Sequence, residues 1–278
     1  MEPKNAPLVL IERETAAPVE TIKFNRPEKR NALSFDALRA LHRELRRLAT
    51  DREIRVVLLR GAGGTFCAGM DLREASAGAP VPRDALREFE IPSLEREPDP
   101  VPVARVVPRL VQEAILRVKF LPQIVLGVAE GAAYGGGAGL LSACDLVAAS
   151  DDFRAGFSEV KLGFLPALLE PFLSRALAPK LLYELVLTSR PIDAKTAREL
   201  GLVGSVVPKD RLEAEIQTLV ETLLARNPDV LAETKRLFAK KTAPTPNEVD
   251  AAWKIHCESF ESESGRRGVA RFFGEKSR

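Results

Sequence analysis

The sequence predicts an α/β fold with a mainly parallel sheet and helices packed outside it. Three observations point there. Strand and helix patterns alternate between residues 19 and 149. The apolar runs at 56–59, 124–129 and 146–149 are short and nearly continuous, as strands buried on both faces are. Glycine-bearing loops follow the first two of these runs, at the carboxyl ends of strands where open α/β sheets gather ligands.

Two β-type runs open the chain, at 8–13 and 19–24, separated by a polar turn with Pro18, and read as neighbouring strands. Ser34 is placed to cap a helix whose Leu38, Leu41, Leu45 and Leu48 recur at helical spacing up to Thr50. After the strand at 56–59 comes a loop from Gly61 to Asp71. Residues 76–108 carry seven prolines and mixed charges with little periodicity, and read as a long surface insertion, either a lid or disordered. A helix is expected at 110–120, a strand at 124–129, a helix opening at Gly135-Gly136-Gly137 and a strand at 146–149. Beyond Leu168 the pattern is helical, including 193–200 stopped by Gly201, with one apolar run at 205–207. Val249, Ala252, Trp253, His256 and Phe260 put an apolar stripe on a late helix that packs on the main domain or a neighbouring subunit. The expected organisation is a core at 1–207 and a helical region at 208–278.

A chain of 278 residues, 45% hydrophobic, can bury a full core. Lysine and arginine (41) nearly balance aspartate and glutamate (39), so neither nucleic acid nor a membrane surface is indicated as a partner. Cys67, Cys144 and Cys257 are odd in number and far apart, which fits reduced thiols in the cytoplasm. With only His42 and His256 and no paired Cys/His spacing, no protein-built metal site is expected. The first seven residues have no apolar segment of the secretory type, and no apolar run is long enough to span a bilayer.

The stretch 124–139 is a strand running into Tyr134-Gly135-Gly136-Gly137-Ala138-Gly139, a glycine loop that opens a helix. The first N–H groups of a helix lack internal acceptors, and glycine lets a ligand approach the backbone. Such a site suits a phosphate or a developing oxyanion, although tight helix–strand packing uses glycine as well. Neither G-x-G-x-x-G nor G-x-x-x-x-G-K-[ST] occurs here, which weakens the dinucleotide and P-loop readings. The second loop, Gly61 to Leu72, also follows a strand and ends at Asp71, a candidate helix cap. Two N–H donors from adjacent loops can meet on one oxygen, and removing one such donor typically costs about 3 to 4 kcal/mol of barrier stabilisation.

Three motifs in order, Asn25-Arg26-Pro27-Glu28-Lys29-Arg30-Asn31-Ala32-Leu33, Phe66-Cys67-Ala68-Gly69-Met70-Asp71-Leu72 and the loop from Tyr134 to Gly139, resemble the signatures of the enoyl-CoA hydratase/isomerase (crotonase) family. The likeness runs from about Leu8 to Val207. It implies a ββα spiral, a helical C-terminal part that helps form a homotrimer or hexamer, and a CoA or acyl-carrier-protein thioester as substrate, with no metal or redox cofactor. It implies oxyanion-hole N–H groups on Met70 and Gly136, and contacts to CoA from Ala68, Leu72 and Arg73. Asp71, Gly135, Arg26 and Lys29 complete the expected binding set.

The resemblance also implies one catalytic carboxylate, Glu159. The best-known hydratases carry a further glutamate where this chain has Gly139. A single positioned carboxylate can remove or return a proton next to a thioester once the enolate oxygen is held. It suits dehydration, double-bond migration, decarboxylation, or hydration with water placed by other groups. The stretch 157–173 resembles a one-glutamate subgroup that includes bacterial methylglutaconyl-CoA hydratases and dehydratases of polyketide β-branching. Two rival readings remain. A silent acyl-thioester-binding scaffold would not need Glu159. A serine hydrolase lacks support because Ser142 is not in a G-x-S-x-G elbow.

Overall fold

The computed structural model describes residues 6–14 and 17–274; part of the leading segment judged to lack a signal, and part of the turn before Pro18, lie outside them. The main sheet has six strands in the order β1 (Val9–Arg13), β2 (Val19–Phe24), β3 (Val56–Gly61), β4 (Ile124–Ala129), β6 (Leu146–Ser150) and β9 (Ser205–Val207). Only the β1–β2 pairing is antiparallel. A smaller sheet joins β5 (Ala132–Tyr134), β7 (Arg154–Gly156) and β8 (Ile192–Asp193). Their two or three residues are too few to show a period, which is why the sequence pattern does not reveal them. The chain passes from a main-sheet strand to a small-sheet strand to a helix, the ββα spiral expected from the resemblance.

Alternation along β3 explains the layers. Val57 and Leu59 face the large core beneath α1 (Phe35–Thr50) and α4 (Val103–Phe120), whereas Val56 and Leu58 face Leu212, Ile216 and Val220 of α9 (Leu212–Leu224). Both faces are thereby covered, as a parallel sheet requires. Ser34 caps α1 as expected, accepting from the Ala37 N–H. Between these elements lie α2 (Leu72–Ala77), α3 (Pro92–Glu95), α5 (Gly136–Ala143), α6 (Glu170–Ala176), α7 (Pro179–Thr188) and α8 (Ala194–Leu200); α10 (Pro228–Thr242), α11 (Pro246–Phe260) and α12 (Glu263–Phe272) follow α9. Among the described residues no helix is long and apolar enough to cross a membrane.

The proline-bearing stretch differs from the expected surface insertion. Val81, Leu86, Phe89, Ile91, Leu94 and Val101 are buried in the main core, and Val81 pairs with Val101 through reciprocal backbone bonds of 2.8 and 2.9 Å. These apolar residues are spaced irregularly, so no helical or strand period betrays them. α4 also begins earlier than expected, at Val103, with Pro108 inside it. An internal proline costs a helix about 3 kcal/mol, which the burial of Val103, Val106 and Val107 on the same side as Leu110 offsets.

The apolar stripe of α11 docks onto α4. Trp253 donates its indole N–H to the Arg105 carbonyl at 2.9 Å, and Gln112 donates to the carbonyls of Val249 and Leu168. α10 is pinned to the sheet by Lys235, which pairs with Asp145 at 2.7 Å and donates to the carbonyls of Val118 and Gln123.

Candidate active site

The glycine loop at 61–72 is shaped by Asn31, held at a left-handed φ of 56°. Its side chain accepts from the Arg26 N–H and donates to the carbonyls of Ala62 and Thr65, so it ties both ends of the turn. Leu33 then bridges Met70: the Leu33 N–H donates to Gly69 O at 2.8 Å, and the Asp71 N–H donates to Leu33 O at 3.0 Å. In such a parallel bridge the two bonds flank Met70, whose own N–H turns to the opposite side. It has no protein acceptor there among the described residues.

On its other flank the loop is stitched to β5, with Cys67 N–H on Ala132 O and Tyr134 N–H on Cys67 O, both 3.0 Å. That brings it to the start of α5. A Cβ on Gly69 would lie 2.6 Å from Tyr134 O and 3.3 Å from Gly136 N, so the two glycine loops do sit side by side. Gly135 turns the chain into α5 with φ 47° and ψ −118°, a conformation that side-chain-bearing residues avoid. No side chain caps α5, and the Gly136 N–H at its first turn has no intrahelical acceptor.

Glu159 lies beside this turn. Its Oε1 is 3.3 Å from the position a Cβ on Gly135 would take, and its Oε2 is buried without a hydrogen-bond partner. The residue is 9% exposed, and burial pushes its carboxyl up to about 7 from the ordinary 4.5, against weaker opposing hydrogen bonds from backbone N–H groups. A carboxylate poised near neutrality can hold or release a proton at working pH.

The backbone after Glu159 forms a tight turn, in which the N–H groups of Leu162 and Phe164 both donate to Glu159 O at 3.1 Å. α12 clamps this turn. A Cβ on Gly268 would fall 1.8 Å from Leu162 O, so α12 comes this close only because residue 268 has no side chain. We expect Gly268→Ala to lower the melting temperature and to reduce kcat by moving Glu159. Thermal unfolding and steady-state rates check this; an unchanged kcat would mean that the clamp does not position the carboxylate.

The expected binding residues separate into two groups. Arg26 and Asp71 pair at 3.1 Å, and Arg26 also donates to Ala32 O, so this guanidinium braces the loop. Asp71 caps α2 by accepting from the Glu74 N–H. Ala68, whose N–H donates to Arg30 O, and Leu72 are partly open, while Lys29 and Arg73 are exposed. The Arg73 guanidinium stacks 4.4 Å from the centre of the Phe273 ring, at one edge of a groove of about 370 Å³ lined also by Ala77, Ala104, Phe260 and Arg266. Ser142 donates to Gly139 O at 2.7 Å, as a helical serine bonded to its own helix.

Gly139 itself faces apolar side chains. A Cβ there would be 2.8 Å from Leu169 Cδ2 and 2.9 Å from Ile115 Cδ1. The part of Ile115 and Leu169 in shaping the site is invisible in sequence, because they lie on separate elements and their type is that of any core residue. The bracing role of Asn31 has a signal in sequence, a polar residue of the kind that tolerates a left-handed turn.

The enoyl-CoA hydratase/isomerase family model matches residues 14–96 and 104–278. Enoyl-CoA hydratase EchA19 of Mycobacterium tuberculosis is 30% identical over 279 residues, covering 98% of this chain and 96% of that protein. The crystal structure of an enoyl-CoA hydratase from Mycobacterium avium superposes with a TM-score of 0.79 at 26% identity, covering 98% of each chain. Pseudomonas aeruginosa AtuE does so with a TM-score of 0.71 at 29% identity, covering 96% of each. By its sequence and by the fold on which its two glycine loops meet, this chain belongs to the enoyl-CoA hydratase/isomerase family.

Proposed function

We propose that this enzyme adds or removes water across the Cα–Cβ bond of an acyl-CoA thioester, with Glu159 as the acid/base and the Met70 and Gly136 N–H groups holding the thioester oxygen. The observation that carries this reading is the buried Glu159 carboxyl, its Oε2 without a hydrogen-bond partner, pushed up to about 7, beside the N-terminus of α5. In the dehydration direction the carboxylate takes the α-proton, and the charge moves to the thioester oxygen between the two N–H donors. The resulting carboxylic acid then gives its proton to the leaving 3-hydroxyl. Water departs, the Cα=Cβ bond forms and Glu159 is ionised again. A single group serving both steps places the lost hydrogen and hydroxyl on the same face.

The apolar surroundings of Gly139 favour a second reading with the same machinery, double-bond migration or decarboxylation, because neither needs an added water. They also support placing the chain in the one-glutamate subgroup, with methylglutaconyl-type skeletons as candidate substrates. We further propose assembly as a trimer or a dimer of trimers. The CoA end would lie near Ala68, Leu72, Lys29 and Arg73, with the adjoining groove available to it.

Incubation in D2O with enoyl-, 3-hydroxyacyl- and methylglutaconyl-CoA thioesters tests the reading. Gain or loss of water supports it, loss of carbon dioxide or deuterium uptake with a moved double bond supports the second, and no reaction with any thioester sinks both. Arg73→Ala should raise KM for a CoA thioester several-fold with little change in kcat, and leave an N-acetylcysteamine thioester unaffected. An equal effect on both thioesters would remove Arg73 from the CoA end.

A further inference from the structure

The glycines at 136 and 139 lie one turn apart on α5 and face a pair of residues one turn apart on α4. A Cβ on Gly136 would meet Val111 Cγ1 at 3.1 Å, and one on Gly139 would meet Ile115 and, from the loop before α6, Leu169. Ile115 and Leu169 are 0% and 2% exposed and stand directly against Gly139. A glycine inside a helix is less stable than alanine, and here it admits these two side chains. A carboxylate built at 139 would have to displace both and would be desolvated among methyl groups.

Resting on the function proposed above, we infer that Ile115 and Leu169 determine reaction specificity: they fill the place that a second carboxylate would need, and so leave proton transfer in this part of the site, among the described residues, to Glu159. The absence of a glutamate at 139 is then not one independent substitution. Residues 115, 139 and 169 form a packed unit, and a carboxylate at 139 works only when that unit is opened. The reactions most affected are those in which water must be held and deprotonated at Cβ. Exchange of an α-proton, which needs Glu159 and the two N–H donors alone, is insensitive to the carboxylate at 139.

The test uses the full chain and two readouts: hydration of crotonyl-CoA, and α-deuterium uptake in D2O by butyryl-CoA, which has no 3-hydroxyl to eliminate. Gly139→Glu alone is expected to hydrate no faster than the unaltered protein. Combined with Leu169→Ala it should hydrate at least about tenfold faster than Leu169→Ala alone, with α-exchange changing much less. Gly139→Gln with Leu169→Ala, which has the same shape without the charge, should show no gain. The inference is overturned if the Gln pair gains equally, if Gly139→Glu alone gains as much as the pair, or if the folded Glu pair gains nothing while α-exchange persists. Should the Glu pair fail to fold, Ile115→Val with Gly139→Glu and Leu169→Val makes room with less loss of packing and is read in the same way. Loss of the underlying function shows differently: α-exchange would then be absent from the unaltered protein, or retained in Glu159→Gln.

Discussion

Glu159→Gln is expected to lower turnover by about 10²- to 10⁴-fold, the usual contribution of a positioned acid or base, while the folded protein becomes more stable at alkaline pH. The two effects have one cause. Burial holds the folded carboxyl near 7, above the ordinary 4.5 of an exposed chain. Between those values the folded state keeps a proton that the unfolded state has lost, so stability falls as pH rises through the window. Above pH 7 the full difference stands, about 3 kcal/mol for a shift of that size. Glutamine has the same shape and carries no charge at any of these pH values. Its melting temperature should therefore exceed that of the unaltered protein at pH 8, and the gap should close towards pH 4.5. A gap that is independent of pH would mean that Glu159 is not desolvated as described. In the dehydration direction, kcat/KM of the unaltered enzyme should rise with pH through about 7 and then level, since the carboxylate must be ionised to take the α-proton.

Gly136→Pro should cost about 10²- to 10³-fold in kcat, because it deletes one of the two donors proposed for the thioester oxygen. The first position of a helix tolerates proline, whose missing N–H would have no intrahelical acceptor there. Crowding is the competing explanation, since any Cβ at 136 meets Val111 Cγ1 at 3.1 Å. Gly136→Ala imposes the same contact and keeps the N–H, so the ratio of the two variants isolates the donor. Val111→Ala in both backgrounds relieves the contact. Equal rates for Pro and Ala at 136, in protein of unchanged thermal stability, would take Gly136 out of the oxyanion site.

The parallel core was legible because buried strands declare themselves as continuous apolar runs: the run at 124–129 coincides with β4, and that at 56–59 falls within β3. α1 and α8 were legible through their caps, Ser34 at the start of one and Gly201 at the end of the other. The stretch at 76–108 does not declare its burial, because its buried residues are spaced irregularly and depend on partners distant in sequence. Pairwise meetings were hidden for a similar reason. Nothing local says that Arg26 will pair with Asp71, that Phe273 will receive Arg73, or that Leu169 and Ile115 will converge on Gly139. The placing of the two glycine loops side by side could be anticipated, since both leave the carboxyl ends of adjacent strands.

The clamp of α12 on the turn after Glu159 gives the site an order of assembly. The sheet strands and Glu159 are translated well before residues 263–272, which close over Leu162 and Gly163. Chains lengthen on the ribosome at roughly 5 to 20 residues per second, so the nascent chain passes through an interval in which the turn at Leu162 exists without the helix that packs on it. The backbone turn that follows Glu159 thus takes its final packing only when one of the last helices docks.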